Sequence, residues 1–209
     1  MITNLSTEQI DVIKEMINIG VGQAANLLNS ISGKHVKLMV PKVKVLHFEE
    51  LATELAEIGF VDNLSCVTLS FSGEINGSSK LLFSTEEASR LVFAFTEAEI
   101  DDLDFDEIQA ETLSEIGNIV LNSLVGSFAN LLNTTLNYSI PIYLTGNIDQ
   151  ILSSDISFKE EGLILYAQTH FSIESLEIQG DFVLFIDIDT VPALIASVDR
   201  FIEKGGFFN

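Results

Sequence analysis

The sequence predicts one α+β domain with internal duplication and pseudo-twofold symmetry, in which two long helices pack against a largely antiparallel β-sheet. Three observations predict it. Glu15-Met-Ile-Asn18-Ile19 recurs as Glu115-Ile-Gly-Asn118-Ile119, and Pro41 recurs as Pro141, at one shared displacement. Each copy opens on a long stretch of helical periodicity followed by strand-like runs. No Gly/Pro/Ser-rich linker separates the copies, and neither half covers its own sheet easily, so one domain spanning 1–209 is expected, with halves of about 6–98 and 105–204.

Taken in order, Thr7 to about Ser30 places Ile10, Ile13, Ile17, Val21, Ala24 and Leu28 at three- and four-residue intervals, the period of an amphipathic helix. Ser6 and Gln9 form the pattern of a capping box, and Gly33 suits the C-terminal stop. Val36 to Phe48 alternates as a strand interrupted at Pro41, which implies an edge or a bulge. Leu64 to Ile75 and Ser79 to Phe83 read as strands joined through Asn76-Gly77, a hairpin signal because both residues tolerate positive φ. A helix from about Thr85 to Glu97 ends the first half.

The second half repeats this order. A helix from about Asp106 to Leu132 precedes strands near Tyr138 to Gly146, Gly162 to Ile173 and Gly180 to Ile188, and a helix from about Thr190 to Glu203 follows. Ala25-Asn-Leu-Leu-Asn29 also recurs as Ala129-Asn-Leu-Leu-Asn133, displaced by four more residues, which predicts about one added turn in the second helix and a shorter loop before Pro141.

Composition narrows the function. The chain carries 10 basic and 31 acidic side chains, a formal charge of −21, which repels phosphate backbones and anionic lipid, so neither nucleic acid nor a membrane surface is an expected partner. No apolar run approaches the roughly 18 residues a membrane span needs. The N-terminus lacks the basic start and apolar stretch of a secretion signal, and the expected address is cytoplasmic. Cys66, alone among Val67 and Leu69, reads as a buried small hydrophobe. His35, His47 and His170 have no spacing suited to a metal site or a triad.

Two other signals fall away. Gly20-Val-Gly22-Gln-Ala-Ala25 imitates a dinucleotide fingerprint, but it lies inside a helix, whereas the fingerprint must follow a strand. Asp102-x-Asp104-x-Asp106 imitates a calcium loop without its Gly and terminal Glu, and an acidic approach to a helix N-terminus accounts for it. The Phe-rich strand Phe182-Val-Leu-Phe185 reads as core, and Gly205 to Asn209 as a fraying tail.

At about 100° per residue, Asp11, Glu15 and Asn18 share a face turned away from the Ile13, Ile17, Ala24 stripe. Glu111, Glu115 and Asn118 likewise lie opposite Ile116, Val120 and Leu124. A solvated polar face explains either helix singly. Surface positions drift freely, however, so Glu-x-x-Asn in both halves suggests a shared task.

These residues carry a family resemblance. Asp11-x3-Glu15-x2-Asn18 followed by Pro41, and Glu115-x2-Asn118 followed by Pro141, resemble the signature of the CheC, CheX and FliY phosphatases of chemotaxis, and the two-copy arrangement is similar to two-site CheC. Glu111 departs from the pattern, standing where the family usually has Asp or Ser. The resemblance implies a pseudo-twofold fold with the two signature helices side by side, and a phosphatase acting on the aspartyl phosphate of a phosphorylated CheY-type response regulator.

In that reading Asn18 and Asn118 orient the attacking water, while Glu15 and Glu115 pair with a Lys of the partner. Asp11 and Glu111 lie on the partner-binding face. The chain needs no cofactor or metal of its own, and Mg2+ is expected on the regulator. A CheD-like activator is a further implied partner. The alternative is a non-catalytic module that docks a response regulator or flagellar switch component through the same face. A FliY-like switch role is weakened because no further switch domain follows Asn209.

Overall fold

The computed structural model describes residues 5–57, 63–96, 104–153, 162–174 and 176–206. Helix α1 (Thr7–Ser32) starts at the expected capping box, where Ser6 Oγ accepts from the Gln9 backbone N–H and Gln9 Oε1 accepts from that of Ser6. It ends at Gly33, whose φ of 66° is the left-handed stop. Strand β1 (Val36–Leu46), helix α2 (Phe48–Glu57), strands β2 (Leu64–Gly73) and β3 (Gly77–Ser84), and helix α3 (Thr85–Thr96) complete the first half. Helix α4 (Phe105–Leu132), strands β4 (Leu136–Tyr138) and β5 (Ile142–Gly146), helix α5 (Ile148–Ser153), strands β6 (Gly162–Ile173) and β7 (Leu176–Asp187), and helix α6 (Val191–Glu203) form the second. A 3-10 turn, Ile188–Thr190, leads into α6.

The sheet is antiparallel throughout its described pairs and runs β1-β6-β7-β3-β2-β4, with β5 also on β2. Exchanging the halves reverses this order onto itself. Helices α1, α3, α4 and α6 cover one face, and the core there joins Ile13, Met16 and Ile17 to Leu121, Leu124, Phe171 and Leu184. Full burial of an aliphatic side chain stabilises by about 1.5–3 kcal/mol, so these helices are held mainly through their apolar stripes. On the opposite face Leu51 and Leu55 of α2 and Ile151 and Leu152 of α5 pack with Cys66, Leu82 and Tyr166.

That second face also buries polar groups. Lys80 and Asp181 are both fully buried, on the central strands β3 and β7. Lys80 donates to Thr68 Oγ1 at 3.1 Å, and Tyr166 OH donates to Asp181 Oδ1. Nearby, Lys42 and Lys44 of β1 both reach Glu54 of α2, and these bonds hold the Glu54 carboxyl below the usual carboxylate range.

Several expectations need correcting. Asn76-Gly77 is not a turn with positive φ: the chain turns earlier, with Gly73 at φ 152° and its N–H bonded to Asn76 Oδ1. Gly77 belongs to β3, where a Cβ would lie 1.9 Å from the Phe185 carbonyl oxygen, so close strand packing requires the glycine. The strand expected near Tyr138 to Gly146 is broken in two. Ser139 turns back to bond Ser70, and Pro141 offers no N–H for a ladder. The bulge expected at Pro41 is present as a register shift between Met39 and Lys42.

The added turn in the second helix is absent as well. Helices α1 and α4 stop at Gly33 and Asn133, each in left-handed conformation, and β1 and β4 begin at Val36 and Leu136. The displaced Ala-Asn-Leu-Leu-Asn match therefore falls on non-equivalent positions. Asn29 lies inside α1 and clasps the backbone of Val36, whereas Asn133 is itself the cap. Helices α2 and α5 were not expected, and β7 begins at Leu176 instead of Gly180. Glu97, Asp102 and the last three residues of the tail lie outside the described residues.

Candidate functional site

Burial repeats along the two long helices. On α1 Asp11, Glu15 and Asn18 are exposed while Ile13, Met16, Ile17 and Gly20 are buried beneath them. On α4 Glu111, Glu115 and Asn118 are exposed above Leu113, Ile116, Gly117 and Val120. Three residues of helix separate each Glu from its Asn by about 4.5 Å along the axis and 60° around it, so both side chains open to one side. All six residues of the expected site are thus placed at the surface, in two matched groups.

Glycines bring the two helices together and seat them on the sheet. A Cβ on Gly20 would lie 2.8 Å from Leu124 Cα, so α1 and α4 touch backbone to backbone. Close by, Ser127 Oγ donates to Gln23 Oε1 at 3.3 Å. A Cβ on Gly117, the residue before Asn118, would lie 2.5 Å from the Val67 side chain of β2. Rigid seating of this kind limits where Asn118 can move.

The groups differ in their neighbours. In α1, Lys14 sits 3.5 Å from Asp11 in an exposed ion pair. The matching position in α4 is Ser114, whose hydroxyl donates to the Ala110 carbonyl. Asn122, one turn beyond Asn118, donates through Nδ2 to Asn118 Oδ1 at 2.5 Å. Sequence reading overlooked this residue, although its four-residue spacing on the same exposed face was a signal.

The described cavities lie elsewhere. A cleft of about 670 Å³ is lined by Ser65, Asp106, Gln109 and Tyr143, with Gln109 Nε2 donating to both hydroxyls. A smaller one lies between the ends of α4 and α6, beside Arg200 and Lys204. The Glu and Asn groups stand on open helical surface, a shape suited to a protein partner more than to an enclosed small molecule. Among the described residues no cluster of three or more His, Cys, Asp or Glu could hold a metal ion, and no helix is long and apolar enough to cross a membrane.

No protein-family model matches the sequence. The chain is 28% identical over 140 residues to the CheY-P phosphatase CheC of Bacillus subtilis, covering 66% of each chain. It therefore spans just under two thirds of that relative's length. It is 20% identical over 199 residues to CheC1 of Halobacterium salinarum, covering 95% of this chain and 100% of that one. Among solved structures, Thermotoga maritima FliY shares the fold with a TM-score of 0.71 and 22% identity, over 95% of this chain and 99% of the other. In sequence the chain is thus similar to CheC proteins, and in fold to FliY, the two sides of the resemblance to the CheC, CheX and FliY proteins.

Proposed function

We propose that this chain is a protein aspartyl-phosphate phosphatase acting on a phosphorylated CheY-type response regulator. The observation that carries the reading is the exposure of Glu15 with Asn18 and of Glu115 with Asn118 at matched positions on two helices that pack together. The sequence relative named as a CheY-P phosphatase supports the same class of activity.

The chemistry asks little of such a surface. An acyl phosphate has a good leaving group, and what remains is to hold one water in line with the scissile bond. A carboxamide on a helix enters the regulator's acidic pocket without adding negative charge near the phosphoryl oxygens. The water oxygen bonds to phosphorus as the bond from phosphorus to the carboxylate oxygen breaks, releasing phosphate and the free Asp. Mg2+ belongs to the regulator's pocket. Glu15 and Glu115 fix the docking register through charge-assisted bonds to a cation of the partner.

The test is phosphate release from a phosphorylated regulator by the wild type, Asn18→Ala, Asn118→Ala and the double variant. Loss of a positioned polar group typically lowers the rate on the order of 10²-fold, and the double variant is expected to show at least that. Full activity in the double variant refutes the assigned roles. Binding without acceleration by the wild type transfers the reading to a docking module.

A further inference from the structure

The two candidate sites are not equivalent. On α4, Asn122 Nδ2 donates to Asn118 Oδ1, whereas the residue in the corresponding place on α1 is Gly22. Gly22 is exposed, and a Cβ there would meet nothing within 4 Å. No hydrogen bond to the Asn18 side chain forms among the described residues.

A carboxamide has chemically different ends, and the torsion that exchanges them is soft. On α4 the bond from Asn122 settles it. The Asn118 carbonyl oxygen is turned along the helix toward Asn122, and the NH2 group makes no bond among the described residues. Donation to the carbonyl also draws electron density from the amide and strengthens Nδ2 as a donor. On α1 no bond among the described residues makes that choice before docking.

We infer that Asn122 is a positioning residue, which presets the Asn118 carboxamide with its NH2 group toward the docked regulator and leaves Asn18 to be oriented only on docking. This rests on the phosphatase reading above. An outward Nδ2 donates to one lone pair of the attacking water and leaves the other for phosphorus; no bond to Asn122 itself forms or breaks in the reaction. Because the orientation is set before the partner arrives, its loss falls on turnover and not on docking.

Phosphate release over a range of phosphorylated-regulator concentrations, in chains with a single intact site, tests this. In the N18A background, N122A is expected to lower kcat about tenfold with KM unchanged. N122D, which only accepts and so turns the carbonyl of Asn118 outward, is expected to lower it further, while N122Q, which keeps the donor, restores part of the loss. In the N118A background, G22N is expected to raise kcat several-fold by giving Asn18 the missing donor. Unchanged kcat for both N122A and N122D, in a background where N118A still abolishes turnover, overturns the positioning role and leaves the phosphatase reading standing. A wild type that never accelerates release overturns both.

Discussion

Leu124 Cα lies 2.8 Å from the place a Cβ would take on Gly20, so the two helices that carry the candidate sites are in backbone contact there. A methyl group at this point meets backbone first, Leu124 Cα and then the Ser123 carbonyl oxygen at 3.1 Å, which cannot turn aside as the Leu124 side chain could. Gly20→Ala must separate α1 from α4, and we expect it to destabilise the fold by about 1–3 kcal/mol, read as a lower midpoint in urea. An unchanged midpoint would mean that the helices part without cost.

Two residues on, the opposite result is expected. Gly22 faces open space in the middle of α1, where glycine costs helix stability through backbone entropy. Gly22→Ala should stabilise by about 0.5–1 kcal/mol in the same measurement. Destabilisation would show that something at this face needs the bare backbone.

Asp181 makes stability depend on pH. Burial pushes its carboxyl up to about 6 and Glu54 adds to the rise, while the Tyr166 bond and Lys42 oppose it. An unfolded Asp ionises near 4, so between about pH 4 and 6 the unfolded chain releases a proton that the folded chain still holds, and stability falls as pH rises. The effect is at most about 3 kcal/mol. Asp181→Asn removes this slope, so its stability relative to wild type should climb from pH 4 to pH 7 in urea denaturation. Parallel pH profiles for the two proteins would refute the assignment.

The carboxylates Glu15 and Glu115 should act on docking. In the proposed reaction Glu15→Gln and Glu115→Gln together remove the charge from the partner-facing bond, and we expect KM for the phosphorylated regulator to rise about tenfold while kcat changes little. The rise should shrink at high salt, since screening already weakens the pair in the wild type. A fall in kcat alone would instead place the carboxylates at the reaction centre.

Much of the surface that carries the proposed site was legible in the sequence because helix periodicity is local. Spacing alone turns Glu15 and Asn18 away from Ile13 and Ile17, and the capping box at Ser6 depends on residues one turn apart. Long amphipathic helices and strands such as Gly162–Ile173 announce themselves in this way. Short elements do not. Helix α5 has six residues, too few for a period to emerge, and among its described side chains α2 turns Leu51 and Leu55 to the core.

What the sequence by itself determined was the α+β class and two exposed Glu and Asn pairs on amphipathic helices. Tertiary structure alone decided that β1 pairs with β6, that Gly77 yields to the carbonyl of Phe185, and that Lys80 and Asp181 end in the interior. The physical reason is distance along the chain. A helix face is set by neighbours within a few residues, whereas strand order and the fate of a buried charge depend on partners far away in sequence, and local spacing carries no record of them.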